Sequence, residues 1–235
     1  NGDGTTTNEN DPTPISFTET PALGTAKRVV SIADAPTKGQ FDVTFEVTVE
    51  NFGDVDLNNL QVTDDLGATF PAPATIISVS GITSAALAEN TAFNGVGDQN
   101  LLLATDVLEP AQVATVQFTV RFDPNGLTDL ENIATANATT PAGTNVSDPS
   151  TDGTDPDADG DNTDGSTDND NDPNENTPTP ITIPETPELG VATAASAPVN
   201  NGDGTYTVTY TVTVENLGNV DLSNTQIALP FTSGT

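Results

Sequence analysis

The sequence predicts an all-β protein of immunoglobulin-like β-sandwich modules in tandem, and three observations predict it. The first is repetition. Thr13-Pro-Ile-Ser-Phe-Thr-Glu-Thr-Pro-Ala-Leu-Gly24 returns as Thr179-Pro-Ile-Thr-Ile-Pro-Glu-Thr-Pro-Glu-Leu-Gly190, and the run Phe41–Leu57 returns as Tyr206–Leu222. The offsets are 166 and 165 residues, and repetition at domain length marks an array of modules. The second is alternation. Phe41, Val43, Phe45, Val47 and Val49 alternate with Asp42, Thr44, Glu46, Thr48 and Glu50, a period of two with aromatic and β-branched residues on one face. The third is the near absence of helical patterning; only Ser84-Ala-Ala-Leu-Ala-Glu89 could make a turn or two.

Taken in order, residues 1–20 are polar and rich in Pro, Thr and Asn, and read as the end of a linker. Residues 21–147 carry short alternating strands between turn signals, the pattern of one complete sandwich. A first strand holds Lys27, and the Phe41 row forms the second. Others are expected at Leu57–Asp64, Thr75–Val79 and Leu101–Thr105. Val116, Phe118, Val120 and Phe122 make a further inward row, and a last strand lies within Leu130–Thr139. Residues 148–185 read as an acidic linker, and 186–235 as the first part of a second sandwich that stops after its third strand. Its core face, Tyr206 to Val214, has nothing in the remaining sequence to cover it, so strands from outside residues 1–235 are expected to complete it. The chain opens at Asn1 without a methionine or a leader, which predicts a removed signal peptide or a segment of a longer array.

Charge narrows the partners. The chain has 35 acidic and 4 basic residues and a net charge of −31, with Lys27, Arg28, Lys38 and Arg121 as its cations. Such a chain repels nucleic acid and anionic membrane surfaces. It has no histidine and no cysteine, which removes Ser-His-Asp and Cys-His catalysis and leaves no disulfide framework. No apolar run approaches the ~20 residues of a membrane span. The expected class is therefore a non-enzymatic structural protein.

Within 148–176 eleven residues are acidic and none is basic, so this stretch cannot bury a core. Asp155, Asp157, Asp159, Asp161 and Asp164, then Asp168, Asp170, Asp172 and Asn174, stand mostly at alternate positions, with Gly160 permitting a bend. Oxygen ligands at i, i+2 and i+4 suit Ca2+, which takes six to eight oxygens. The run begins like an EF-hand loop, but its twelfth position is Ser166, not a bidentate glutamate. It is closer to the aspartate ladders of thrombospondin type 3 repeats. A solvated spacer is the plain alternative. Calcium binding here is expected to stiffen the junction between modules.

Smaller constellations carry less. Asn201-Gly-Asp-Gly204 precedes a strand and reads as a hairpin turn. Asp64 and Asp65 are neighbours in a strand, so they point to opposite faces and cannot flank one glycosidic bond. Lys27 stands in the first strand and Asn132 in the last, and in some immunoglobulin-like surface domains such a pair joins as an isopeptide beside an acid. Thr193 occupies the Lys27 position in the second copy. The sequence therefore favours an ordinary lysine, at a bulge or on an edge strand, reaching out to water.

The ordered motifs Phe41-Asp-Val-Thr-Phe-Glu-Val-Thr-Val-Glu-Asn-Phe-Gly53, Leu60-Gln-Val-Thr-Asp-Asp-Leu66, Leu108-Glu-Pro-Ala-Gln-Val-Ala-Thr-Val-Gln-Phe-Thr-Val120 and Leu130-Glu-Asn-Ile-Ala-Thr-Ala136 resemble the conserved repeat of large bacterial cell-surface proteins, long known as a domain of unknown function. The resemblance spans most of residues 20–140 and the start of the second copy. It implies an immunoglobulin-like fold, secretion, and tandem arrays at a cell surface. It assigns no catalytic residue. The chain departs from it at Ile227-Ala-Leu-Pro-Phe231, which stands where the first copy has Val62-Thr-Asp-Asp-Leu66. The expected function is an extracellular stalk, fibre or filament, its partners being further repeats or copies of itself. An adhesin that binds carbohydrate or protein through loops such as Ala86–Asn100 is the alternative.

Overall fold

The computed structural model describes residues 14–156 and 176–229. Two sheets face each other across one core. The larger has the order β10-β1-β2-β6-β4, from β1 (Leu23–Asp34), β2 (Phe41–Asn51), β4 (Thr75–Ser84), β6 (Val113–Asp123) and β10 (Thr151–Asp152). The smaller has the order β5-β3-β8-β9, from β3 (Leu57–Asp64), β5 (Val107–Leu108), β8 (Ala134–Thr139) and β9 (Asn145–Pro149). The inward rows read from the sequence are the rows that meet. Phe41, Phe45, Phe118 and Phe122 are fully buried, and so are Leu57, Leu60 and Val62 from the opposite sheet. Each such side chain contributes about 2–3 kcal/mol by leaving water.

Several elements differ from expectation. Leu101–Thr105 forms no strand; its neighbourhood is held by single bridges, Thr63 to Asn100 and Glu89 to Leu102. Leu101 and Leu102 are still buried, so core contact rather than sheet pairing fixes them. No helix forms at Ser84–Glu89. A single turn, α1 (Leu66–Thr69), forms elsewhere, where the Asp65 side chain accepts from the Ala68 amide at 3.1 Å. That is ordinary N-capping. The last predicted strand is two, β7 (Leu130–Asn132) and β8.

The sandwich also extends past residue 147, and this changes the meaning of the acidic stretch. β9 and β10 carry its strands to Asp152, and β10 runs parallel to β1 with Lys27 opposite Asp152. After the acidic run, β11 (Thr179–Ile181) pairs antiparallel with β7, Thr179 opposite Asn132 and Ile181 opposite Leu130. Thr179 and Ile181 are buried. The Gly153 amide and the Thr179 hydroxyl both donate to the Lys27 carbonyl, at 2.8 and 2.9 Å. The acidic stretch therefore leaves and rejoins one sandwich at one residue. The described residues on both sides of 157–175 thus pack on the first sandwich. The connection to the second copy is the short run 182–188.

In the second copy, β12 (Leu189–Ala195) pairs with β15 (Tyr210–Asn216), and β13 (Val199–Asn200) pairs with β14 (Tyr206–Thr207). Each copy begins with the same close approach. A Cβ on Gly53 would lie 2.6 Å from the Thr20 carbonyl, and one on Gly218 2.3 Å from the Thr186 carbonyl. Only glycine allows the chain to cross there.

Candidate functional site

Lys27 is fully buried, among the largest side chains of the described residues that are. The expectation of an edge lysine reaching to water is overturned, for two reasons. β1 is not an edge, because β10 pairs along its outer side. The bulge in β1 lies between Val29 and Ser31, after Lys27. Leu23, Thr25 and Lys27 thus share the inward face, and Lys27 enters the core between the two sheets.

There it meets Asp64, the end of the inward row Leu60, Val62, Asp64 on β3. Lys27 Nζ donates to Asp64 Oδ2, and both side chains are wholly excluded from water. Asn132 of β7 is also buried, its Nδ2 3.4 Å from the same Asp64 oxygen. The Thr69 hydroxyl donates to Asn132 Oδ1 at 2.9 Å, which gives α1 a purpose. Lys27 Nζ stands 4.5 Å from the centre of the Phe45 ring and 5.4 Å from that of Phe118. The other carboxylate oxygen, Asp64 Oδ1, is buried with no hydrogen-bond partner.

The surroundings shift both ionisable groups. Burial lowers the Lys27 pKa, opposed by the Asp64 charge. Burial raises the Asp64 pKa, opposed by Lys27. Both shifts favour the neutral forms. Ring faces would favour a cation by about 0.5–2 kcal/mol, whereas desolvation costs several kcal/mol for each ion. Burial therefore moves both groups toward their neutral forms. A neutral amine has the lone pair a nucleophile needs, and a protonated carboxyl can polarise a carboxamide or shuttle its proton. The three groups that amide exchange requires thus stand together in a dry core.

Of the three residues, the sequence flagged Lys27 and Asn132 and missed the acid. In the sequence Asp64 reads as half of an adjacent pair with Asp65, and the structure sends the two to opposite sides, Asp64 inward and Asp65 outward as the α1 cap. A usable signal existed, since a charged residue closes the inward row of β3. The second copy also loses both members together, with Thr193 for Lys27 and Leu229 for Asp64.

The expected calcium ligands Asp157, Asp159, Asp161, Asp164, Asp168, Asp170, Asp172 and Asn174 lie outside the described residues. Asp155 lies within them and is exposed. No cluster of three or more acidic side chains that could hold a metal occurs among the described residues. The Ala86–Asn100 segment is folded onto the core. Leu87 and Phe93 are buried, Phe93 packs edge-on against Phe118 at 5.2 Å, and Asn94 Oδ1 accepts from the amides of Val96, Gly97 and Asp98. It offers no exposed aromatic platform. Among the described residues, no helix is long and apolar enough to cross a membrane.

No protein-family model matches the chain, and no curated protein does. Among solved structures, the major pilin SpaD of Corynebacterium diphtheriae aligns at 15% identity and a TM-score of 0.36, over 55% of this chain and 33% of the pilin. BcpA, the major pilin subunit of Bacillus cereus, aligns at 10% identity and a TM-score of 0.32, over 85% of this chain and 56% of the pilin. A GH20 exo-β-N-acetylglucosaminidase of Vibrio harveyi aligns at 18% identity and a TM-score of 0.31, over 56% of this chain and 18% of the enzyme. The chain thus spans less than two thirds of each, and similarity at this level carries no argument about function.

Proposed function

We propose that this chain is a structural segment of a bacterial cell-surface stalk or fibre, whose first sandwich locks itself with an amide bond between Lys27 and Asn132. One observation carries the reading: Lys27, Asp64 and Asn132 meet in a core that no solvent reaches. In the reaction the Lys27 Nζ lone pair attacks Asn132 Cγ. The Cγ–Nδ2 bond breaks, one Lys27 proton moves to the departing nitrogen through Asp64, and ammonia leaves. Asp64 ends in the protonation state in which it began. For Asp64 to polarise the carbonyl, the Asn132 amide turns its oxygen toward the acid and its amino group toward the Thr69 hydroxyl, which can accept as well as donate. A bond made once, inside a core closed to solvent, serves permanence rather than turnover.

The test is the mass of the intact chain. One ammonia less than the sequence predicts, together with a branched Lys27–Asn132 peptide after digestion, is the expected outcome. Full mass in the folded protein would refute the bond.

Calcium belongs to this proposal through the Asp155–Asn174 ladder alone. Because both flanks of that stretch meet at Lys27, an ion there would close a side excursion of the first module. It would not set the angle between modules. Calorimetric titration with Ca2+ tests it: saturable binding supports the site, and absence of heat leaves a solvated acidic run.

A further inference from the structure

The chain contains the β11 sequence twice but docks it once. Thr179-Pro-Ile181 lies on β7 with Ile181 buried and Ile183 packed against the same core. Its counterpart, Thr13-Pro-Ile-Ser-Phe17, leaves its two large apolar side chains in water, Ile15 77% and Phe17 90% exposed. Isolated exposed apolar residues are common, but these two occupy the positions of Ile181 and Ile183 in a segment whose docked form is visible in the same molecule.

We infer that residues 14–17 are a docking strand for the β7 edge of another sandwich of the same kind. This rests on the tandem-array reading above. The local geometry at the two copies supports it. Beyond each docking segment the chain enters its own module identically. The Thr20 amide donates to Asp54 Oδ1 at 2.8 Å, and the Thr186 amide to Asn219 Oδ1 at 2.7 Å. Residues 180–183 therefore stand to the second copy as 14–17 stand to the first. In the second copy, that segment runs on the sandwich before it.

The contacts at this junction say which parts of the docking are general. Asn219 Nδ2 also donates to Asp34 Oδ1 of the first module, and Lys38 Nζ donates to the Asn216 carbonyl. Asp54 replaces Asn219 in the first copy and has no amide to donate. The docking of 14–17 must then rest on strand pairing and on burial of Ile15 and Phe17. The site it needs is an uncovered β7 flanked by a buried Lys–Asp–Asn cluster, and Thr13 would take the place of Thr179 opposite Asn132.

The test uses the full chain as acceptor and a labelled peptide of residues 11–20 as probe. Ile181→Asp in the full chain places a charge in the β11 site and frees β7, while the wild-type chain keeps its own β11 in place. The expected result is saturable binding to the Ile181→Asp chain, at least about tenfold weaker for wild type and for a peptide carrying Ile15→Asp. No binding to a folded Ile181→Asp chain overturns the inference, and so does equal binding to wild type or by the Ile15→Asp peptide. If Ile181→Asp does not fold, the full chain with Thr182→Ser and Ile183→Phe carries the N-terminal sequence in the β11 place. Unchanged hydrogen-exchange protection across β7 then supports the inference, and lost protection overturns it. The mass of the same proteins reports the Lys27–Asn132 bond separately, so either idea can fail without the other.

Discussion

The strand Phe41–Asn51 and its repeat Tyr206–Asn216 have nearly the same sequence and different fates. In the first, Phe41, Val43, Phe45 and Val47 are wholly buried and the strand is continuous over eleven residues. In the second, Tyr206 and Tyr210 are 62% and 51% exposed, and the strand is split into β14 and β15. The first pairs on both sides, with β1 and β6; among the described residues each piece of the second pairs on one side, β14 with β13 and β15 with β12. Alternation specifies a strand with a core face. Only the partners make it continuous and dry. The same division holds for the charged pair: the first copy buries Lys27 and Asp64, and the second has Thr193 and Leu229 at those positions, both exposed. The polar cluster is a property of one module, not of the repeat.

That comparison is most severely tested at the cluster. Asp64→Ala is expected to leave the chain at full mass and to strand Lys27 in the core, costing about 3–5 kcal/mol in denaturant unfolding. Lys27→Met with Asp64→Leu, which makes this part of the core apolar, should recover much of that loss while remaining unlinked. If the double variant is no more stable than the single, the cluster is not the distinguishing feature of the first core.

The next effect is at the borrowed strand. Ile181→Ala should lower stability by about 2–4 kcal/mol and reduce amide protection at β7, although residue 181 lies within the stretch that composition assigns to a linker. A loss near zero would mean that β11 is an ornament on a finished sandwich.

A smaller effect concerns the solvent side of the larger sheet. Arg121 donates to both Asp42 oxygens at 2.8 Å, and this bonding holds the Asp42 carboxyl below its ordinary range. The folded state then binds its proton less readily than the unfolded state. Its contribution is complete above the unfolded carboxyl range near pH 4 and is lost as pH falls through the folded value. Arg121→Gln should remove that part of the acid limb, a small change because the pair is partly exposed. The smallest change is expected from calcium chelation. It should leave the scattering profile of the two copies relative to each other unaltered, and a large change in chain dimensions would restore a hinge role for the acidic stretch.

Much of this fold was legible because inward rows are local patterns. Leu57–Asp64 reads as a strand from its own residues, and so does the Phe118 row. What was not legible depended on contacts between distant segments. Nothing within Leu23–Asp34 announces that Thr151–Asp152 will cover its outer side, so Lys27 looked free to reach water. Nothing in Thr179-Pro-Ile181 announces a strand, since three residues with a central proline carry almost no propensity. The repeat did mark the segment, but as punctuation between modules. Asp64 was hidden by its neighbour, because the pair Asp64-Asp65 draws the eye to itself instead of to the row that Asp64 completes.

The double attachment at the Lys27 carbonyl has a consequence when the chain is pulled from its ends. Tension entering along β1 reaches Lys27 and, through the proposed amide, passes to Asn132, so residues 28–131 carry none of it. From β7 the shortest route onward is sideways across the backbone pairing to β11 and out toward Thr182. That pairing spans three residues on each strand, and it is the weakest member of the series. When it parts, residues 154–178 pay out before the force meets β10, adding up to about 85 Å of contour at ~3.4 Å per residue. Ile181 leaving its pocket would then be the first event under load, and its return would restore the closed sandwich.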